Sequence, residues 1–159
     1  MSALDLMIGL ATSPGFDTLF DPDKGTPLIE PYHDDAGYPT IGYGHLLSRE
    51  RWADLTRWSA ITLEEADALL RSDARRHLAA ALRLCPTPLT EGQAAALGDF
   101  CFNAGSGNLE ISTLRKCVLR GDHQRAAQEF GKWVYSGRPP VKMRGLVRRR
   151  AAEAALYLS

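Results

Sequence analysis

The sequence predicts a mainly α, α+β single domain of two lobes, and three observations carry that reading. The chain has 159 residues at 45% hydrophobic composition, the size of one compact domain with material for a real core. From Thr62 onward, apolar residues recur at helical spacing behind two capping-box patterns. Between Tyr32 and His45 the pattern is instead strand-like, rich in Tyr, Thr and Ile and punctuated by turn residues.

Taken in order, Leu4, Met7, Ile8 and Leu10 to Ala11 can share one face of a short first helix, which Ser13-Pro14-Gly15 should end. Asp17 to Pro27 holds three aspartates, two prolines and Gly25 and reads as turn-rich chain. Next comes a hairpin in which Asp34, Asp35 and Gly37 supply the turn. Gly42 and Gly44 then alternate with Ile41, Tyr43 and His45, which marks either a wall where a ligand or backbone approaches closely or a tight bend. Ser48 is expected to cap a helix through Trp58, with Trp52, Leu55 and Trp58 turned inward. Thr62-Leu63-Glu64-Glu65 should open a long helix carrying Ala66, Leu69, Leu70 and Leu78, stopped after about Leu84 by Pro86 and Pro88.

Thr90-Glu91-Gly92-Gln93 opens an alanine-rich helix with Leu97, Phe100 and Cys101 buried, and its small side chains place it at the centre of the second lobe. Ser112 or Thr113 starts a helix ended by Gly121, and Asp122 caps another with Ala126, Ala127 and Phe130 inward. Val134 to Met143 reads as a loop. A final helix from Arg144 to Leu158 should pack Leu146, Val147, Ala151, Ala154, Ala155 and Leu158.

The formal net charge is zero but unevenly placed: Asp5, Asp17, Asp21, Asp23, Glu30, Asp34 and Asp35 face Lys24 alone in residues 1–40. From residue 111 onward, eleven Lys or Arg oppose Asp122, Glu129 and Glu153, an end suited to an anionic polymer. Zero net charge gives no broad basic surface, so no nucleic-acid partner is expected. Cys85, Cys101 and Cys117 have no metal-ligand or redox spacing and read as buried small apolar residues in a reducing compartment. The run Leu6 to Ala11 is too short to span a bilayer and lacks a basic flank, so neither a secretory signal nor stable membrane association is expected.

Three stretches carry chemistry. Tyr32-His-Asp-Asp-Ala-Gly-Tyr-Pro-Thr-Ile-Gly-Tyr-Gly-His45 is the first, Phe102-Asn103-Ala104-Gly105-Ser106-Gly107 the second, and Gly145-Leu146-Val147-Arg148-Arg149-Arg150 with the following Ala-Glu the third. Together they closely resemble the phage-type lysozymes, endolysins that act as muramidases. The resemblance runs almost continuously from Tyr32 to the C-terminus.

What it implies is a lysozyme-like fold, with a small lobe of roughly residues 13–60 and a long helix leading into a helical lobe of roughly 61–159 that includes the first helix. It also implies cleavage of the β-1,4 bond between N-acetylmuramic acid and N-acetylglucosamine. In that family an aspartate six residues before a threonine is catalytic, which here gives Asp34 and Thr40. Tyr32, His45 and Asn103 fall in register with residues that line the sugar site. Trp133 and Arg138 are added as glycan contacts by ring stacking and charge, although a tryptophan is more often core. Asp35 is the one-residue alternative to Asp34, disfavoured because adjacent strand side chains point to opposite faces.

The family's general acid, a glutamate followed by glycine, stands nine residues before the aspartate. Counted back from Asp34, that position is Gly25. Glu30 is the nearest glutamate; alternation puts Glu30, Tyr32 and Asp34 on one face, and Pro31 must break the strand to swing Glu30 inward, because a straight strand leaves the Glu30 and Asp34 α-carbons about 13 Å apart. Asp17, Asp21 and Asp23 are the other candidates, and a lysozyme fold with weakened or lost chemistry that only binds peptidoglycan is the competing reading. No metal or cofactor is expected, because carboxylates and water suffice for the hydrolysis. A monomer is expected, made in the host cytoplasm and reaching the wall from the periplasm after release by another protein, as holins do for soluble endolysins.

Overall fold

The computed structural model describes residues 1–13 and 28–159. Pro14, Gly15 and Asp17 to Pro27, with the helix stop and the turn-rich loop read there, lie outside the described residues. The chain forms two compact units, one comprising the N-terminal helix and Ala74–Ser159, the other ending at Asp73.

In the helical unit, α1 (Ala3–Ala11) opens on a capping box between Ser2 and Asp5 and buries Ala3, Met7 and Ala11. Helix α2 (Leu63–Leu84), which belongs to this unit from Ala74 on and to the other unit up to Asp73, starts on the expected Thr62–Glu65 box, in which each residue's side chain accepts the other's backbone N–H at 3.1 and 2.8 Å. Helix α3 (Glu91–Ala104) opens on the Thr90–Gln93 box and is buried without interruption from Gly92 to Cys101. A helix buried on all sides belongs at the middle of a bundle, and here α1 and the C-terminal helix both pack on it.

The approach is closest at Gly92, where an added Cβ would sit 2.6 Å from the backbone oxygen of Leu156. A helix backbone has little room to give. Gly92→Ala is therefore expected to destabilise by about 1–2 kcal/mol, the overpacking strain outweighing a helix-propensity gain of up to ~1 kcal/mol. Urea unfolding is the check.

Gly105, at φ 93°, ends α3 and leads into α4 (Ser106–Ile111), a short helix that the sequence reading did not contain. Ser112 caps α5 (Thr113–Leu119), Gly121 takes φ 72°, and Asp122 caps α6 (His123–Phe130), with Ala126, Ala127 and Phe130 buried as expected. Val134 to Met143 is more ordered than a loop. It forms a two-stranded antiparallel hairpin, β4 (Tyr135–Ser136) with β5 (Val141–Lys142), around a cis Arg138–Pro139 bond.

Helix α7 (Arg144–Leu158) corrects the expected packing face. Val147, Ala151, Ala155 and Leu158 are exposed, and the buried residues are Arg149, Arg150, Glu153 and Tyr157. At 100° per residue these four share a stripe, and Arg149 tolerates burial because a buried carboxylate meets it. Arg149 binds Asp99 of α3 through two bonds, Nε to Oδ2 at 2.9 Å and a terminal nitrogen to Oδ1 at 2.7 Å. Arg150 stacks 5.0 Å over Phe100 and approaches Glu153 to 3.0 Å without an aligned hydrogen bond. The remaining core gathers Leu97, Phe100, Leu109, Leu114, Val118 and Phe130 with all three cysteines, which are free thiols. Burial pushes the Cys101 thiol up to about 12.

The other unit holds a three-stranded antiparallel meander, β1 (Tyr32–His33), β2 (Pro39–Ile41) and β3 (His45–Leu46). Ile29, Ile41 and Ala66 form its small core. Gly42 and Gly44 are not strand positions. With Ile41 paired to His45, they sit in the bend between β2 and β3 at φ 61° and 81°, backbone that favours glycine.

The expected helix from Ser48 to Trp58 is absent. Ser48 Oγ accepts the N–H of Glu50, Trp52 takes φ 60°, and Asp54 caps only a single 3-10 turn, Leu55–Arg57. Short polar side chains have captured the backbone donors a helix would need. Trp52 is consequently 66% exposed rather than inward, and Leu55 and Trp58 are half-buried. Among the described residues no helix is long and apolar enough to cross a membrane.

Candidate functional site

Asp34 closes the turn between β1 and β2. Its N–H donates to the Tyr38 carbonyl at 2.9 Å, and its own carbonyl accepts from Gly37 at 2.9 Å. The side chain joins in as well, Oδ1 accepting the N–H groups of Ala36 at 3.0 Å and Tyr38 at 2.8 Å. Both carboxylate bonds among the described residues are therefore on one oxygen, which fixes the group and leaves Oδ2 to meet a ligand. Asp35 is exposed on the same turn.

Strand register assembles the neighbours. Tyr32 pairs with Thr40, so their side chains share a face of the sheet, and the Asp34–Tyr38 bond extends that register by one pair. Asp34, two residues beyond Tyr32, lies on the same face. Burial and the nearby Asp34 charge raise the Tyr32 phenol above its usual value, and Tyr32 Oη donates to the Gly42 carbonyl at 3.2 Å. The phenol stays a neutral donor.

Thr40 is only 4% exposed, and its hydroxyl donates to the Tyr38 carbonyl at 2.9 Å. Its oxygen can then meet a water only as an acceptor. His45 faces α2, where its Nδ1 lies 2.7 Å from Asp73 Oδ2; because a carboxylate only accepts, the proton is on Nδ1. The sequence reading did not name Asp73. Its distance from His45 along the chain hides the pair, and only its position on a buried stripe of α2 could have hinted at it.

Glu30 follows Ile29, whose backbone bridges Ile61 and whose side chain is buried. Alternation turns Glu30 the other way from Ile29, and it is exposed. Gly25 and the alternative acids Asp17, Asp21 and Asp23 lie outside the described residues.

The remaining sequence-derived site residues belong to the helical unit. Asn103, on the last turn of α3, offers its side-chain oxygen to an Arg150 guanidinium nitrogen. Its amide nitrogen is the group left to donate. Trp133 is half-buried, edge-on to Phe100 with ring centroids 5.4 Å apart, and packs against the core cluster. Arg138 is exposed at the β4–β5 turn. Of two neighbouring arginines of the third motif, Arg149 is the buried Asp99 partner and Arg148 is exposed. Among the described residues no group of three or more His, Cys, Asp or Glu side chains could hold a metal ion.

The family model of phage lysozyme matches residues 27–153. The chain belongs to the phage lysozyme family. It is 36% identical over 149 residues to the endolysin of Acyrthosiphon pisum secondary endosymbiont phage 1, an alignment covering 86% of this chain and 97% of that protein. It is 38% identical over 122 residues to the endolysin of Bacillus phage B103, covering 77% of this chain and 44% of the phage protein. The chain thus spans less than half the length of that relative. Among solved structures, the muramidase domain of SpmX from Asticaccaulis excentricus is similar, with a TM-score of 0.73 at 29% identity over 99% of this chain and 95% of that domain. The lysozyme-like fold expected from the motifs is the fold observed.

Proposed function

We propose that this lysozyme-family chain is a peptidoglycan hydrolase, a muramidase that cuts the β-1,4 bond between N-acetylmuramic acid and N-acetylglucosamine and so lyses a bacterial host. The observation that carries the reading is the Asp34 carboxylate, clamped on one oxygen by two N–H groups and sharing a sheet face with Thr40. A water whose two hydrogens are accepted by Asp34 Oδ2 and Thr40 Oγ1 keeps a lone pair for the anomeric carbon. Attack from that side, as the leaving oxygen departs from the other, inverts the configuration. Asp34 takes the water's proton, and Glu30 is the acid that delivers one to the leaving oxygen. Tyr32 and His45 would contact or shape the sugar site around Asp34, and Asn103, Trp133 and Arg138 are the candidate glycan contacts of the helical unit. We place synthesis in the host cytoplasm and action on the wall after release, as a monomer and without a cofactor.

A second reading is favoured by one sequence fact: Gly25 stands where the family's catalytic glutamate is expected. In it the chain binds peptidoglycan without turnover. Turbidity of outer-membrane-permeabilised cells, together with an assay for new reducing ends at N-acetylmuramic acid, decides between the two. Clearing with new reducing ends supports the hydrolase; wall binding without either supports the second reading.

Charge adds a further expected result. Arg138, Lys142 and Arg144 are exposed, so activity on intact walls should fall as salt rises past physiological strength, where the Debye length is about 8 Å. Activity on a neutral chito-oligosaccharide should change far less. Equal salt dependence for both substrates removes the steering role of these residues.

A further inference from the structure

Trp52 is the most conspicuous side chain that the proposed chemistry leaves unused. It is 66% exposed and is the non-glycine residue with positive φ among those described, at 60°. Left-handed backbone is normally given to glycine or asparagine, and a bulky residue there is an outlier held by its surroundings. Here the hold is visible. The Trp52 N–H donates to the Gly37 carbonyl at 2.7 Å, while the Gly37 N–H donates to the Asp34 carbonyl at 2.9 Å. One backbone step therefore separates the strained tryptophan from the turn that clamps the Asp34 carboxylate.

The indole lies over that turn. A Cβ on Gly37 would come within 2.5 Å of Trp52 Cε2, so the glycine's bare backbone is the seat on which one ring face rests. His33 meets the ring edge-on, its centroid 5.1 Å away, and its own Nε2 is fixed 2.9 Å from the Ala53 carbonyl. Arg51, the neighbour, holds the same turn, Nε donating to the Ala36 carbonyl at 2.7 Å. The ring is thus rigid, seated and still largely in water. Core packing explains none of this, because an inward tryptophan would be covered.

We propose that Trp52 is a sugar-stacking platform, an additional glycan-binding residue beside Asp34 that receives the apolar C–H face of a pyranose ring. This rests on the peptidoglycan reading above. A planar ring with fixed orientation offers large apolar area with little ordering cost, and the sugar's rim hydroxyls stay free for the polar groups of the turn. Asp34 and Asp35 on that turn disfavour a polyanion as occupant and leave a neutral acetamido sugar acceptable. The platform positions substrate and takes no part in bond breaking.

The test is calorimetric titration with an N-acetylglucosamine tetramer, alongside melting curves, for the unmodified chain, Trp52→Gly and Trp52→Phe. Glycine accepts the left-handed backbone, so Trp52→Gly removes the ring while keeping Tm at or above that of the unmodified chain. The expected result is a dissociation constant raised about tenfold in Trp52→Gly, equivalent to about 1.4 kcal/mol, and within about twofold of the original in Trp52→Phe. Unchanged affinity in Trp52→Gly overturns the platform and leaves the peptidoglycan reading standing. A clear fall in Tm for Trp52→Gly, with Trp52→Phe losing affinity equally, makes the ring a strut of the turn and also overturns it. If the unmodified chain binds neither the tetramer nor wall fragments, both this proposal and the peptidoglycan reading fail.

Discussion

Asp34→Asn should cut lysis of permeabilised cells by at least about a hundredfold, the scale seen when a preorganised electrostatic group is removed from a transition state. The choice of asparagine follows from the turn. Its amide oxygen can still accept from Ala36 and Tyr38, as Oδ1 does now, so the hairpin keeps its closure and Tm should move by no more than a few degrees. What is lost is the negative charge and the second acceptor oxygen. Asp34→Ala, by contrast, removes two charge-assisted bonds as well, each worth about 1.5–3 kcal/mol, and should lower both activity and Tm. Glycan binding is the control that separates chemistry from recognition, and Asp34→Asn should retain it. If Asp34→Asn lyses cells like the unmodified chain, Asp34 is a turn residue and nothing more.

The second large effect concerns stability. Arg149→Met should destabilise the protein by about 3–5 kcal/mol, because it leaves Asp99, fully buried, with an uncompensated charge. At about 2–4 °C per kcal/mol for a chain of this size, Tm should fall by about 10 °C. The double variant Asp99→Leu with Arg149→Met is expected to recover most of that loss, since a buried ion pair replaced by apolar residues is often close to neutral. A double variant no better than the single would mean that the cluster's value lies outside the pair.

Glu153 gives the same cluster a pH dependence. Burial first, and the neighbouring Asp99 charge with it, raise the Glu153 carboxyl well above its usual value, against the opposing pull of Arg150 and Arg149. The folded state then holds a proton that the unfolded state releases, so this contribution is present below about pH 4.3, the ordinary glutamate value, and is lost as pH rises towards the folded one. Glu153→Gln should flatten that decline in unfolding free energy above about pH 4.3, which chemical unfolding across a pH series would measure.

Much of the fold was legible because local chemistry agreed with the final packing. Thr62 with Glu65, and Thr90 with Gln93, announce helix starts by residue type and spacing alone, and both boxes form. Where the reading failed, a long-range partner decided the outcome. The buried stripe of α7 looks like a solvated basic face until Asp99, fifty positions upstream, is brought against it. Asp73 was missed for the same reason. The segment from Ser48 to Trp58 failed locally instead, since Ser48 and Asp54 serve turns as readily as helix caps and nothing in the pattern foretold the left-handed Trp52. Within the proposed site, the Asp34–Thr40 spacing is visible along the chain, but the two N–H groups on Oδ1 belong to turn geometry that residue spacing does not encode.

Cys85, Cys101 and Cys117 are all free, and all lie in the core of the helical unit. Thiol reagents must reach the sulfur, so a covered thiol is silent until the surrounding helices part. The hairpin unit that ends at Asp73 contains no cysteine at all. The rate at which a thiol reagent labels the native chain is therefore a gauge of one unit's opening, blind to fluctuations of the turn that holds Asp34.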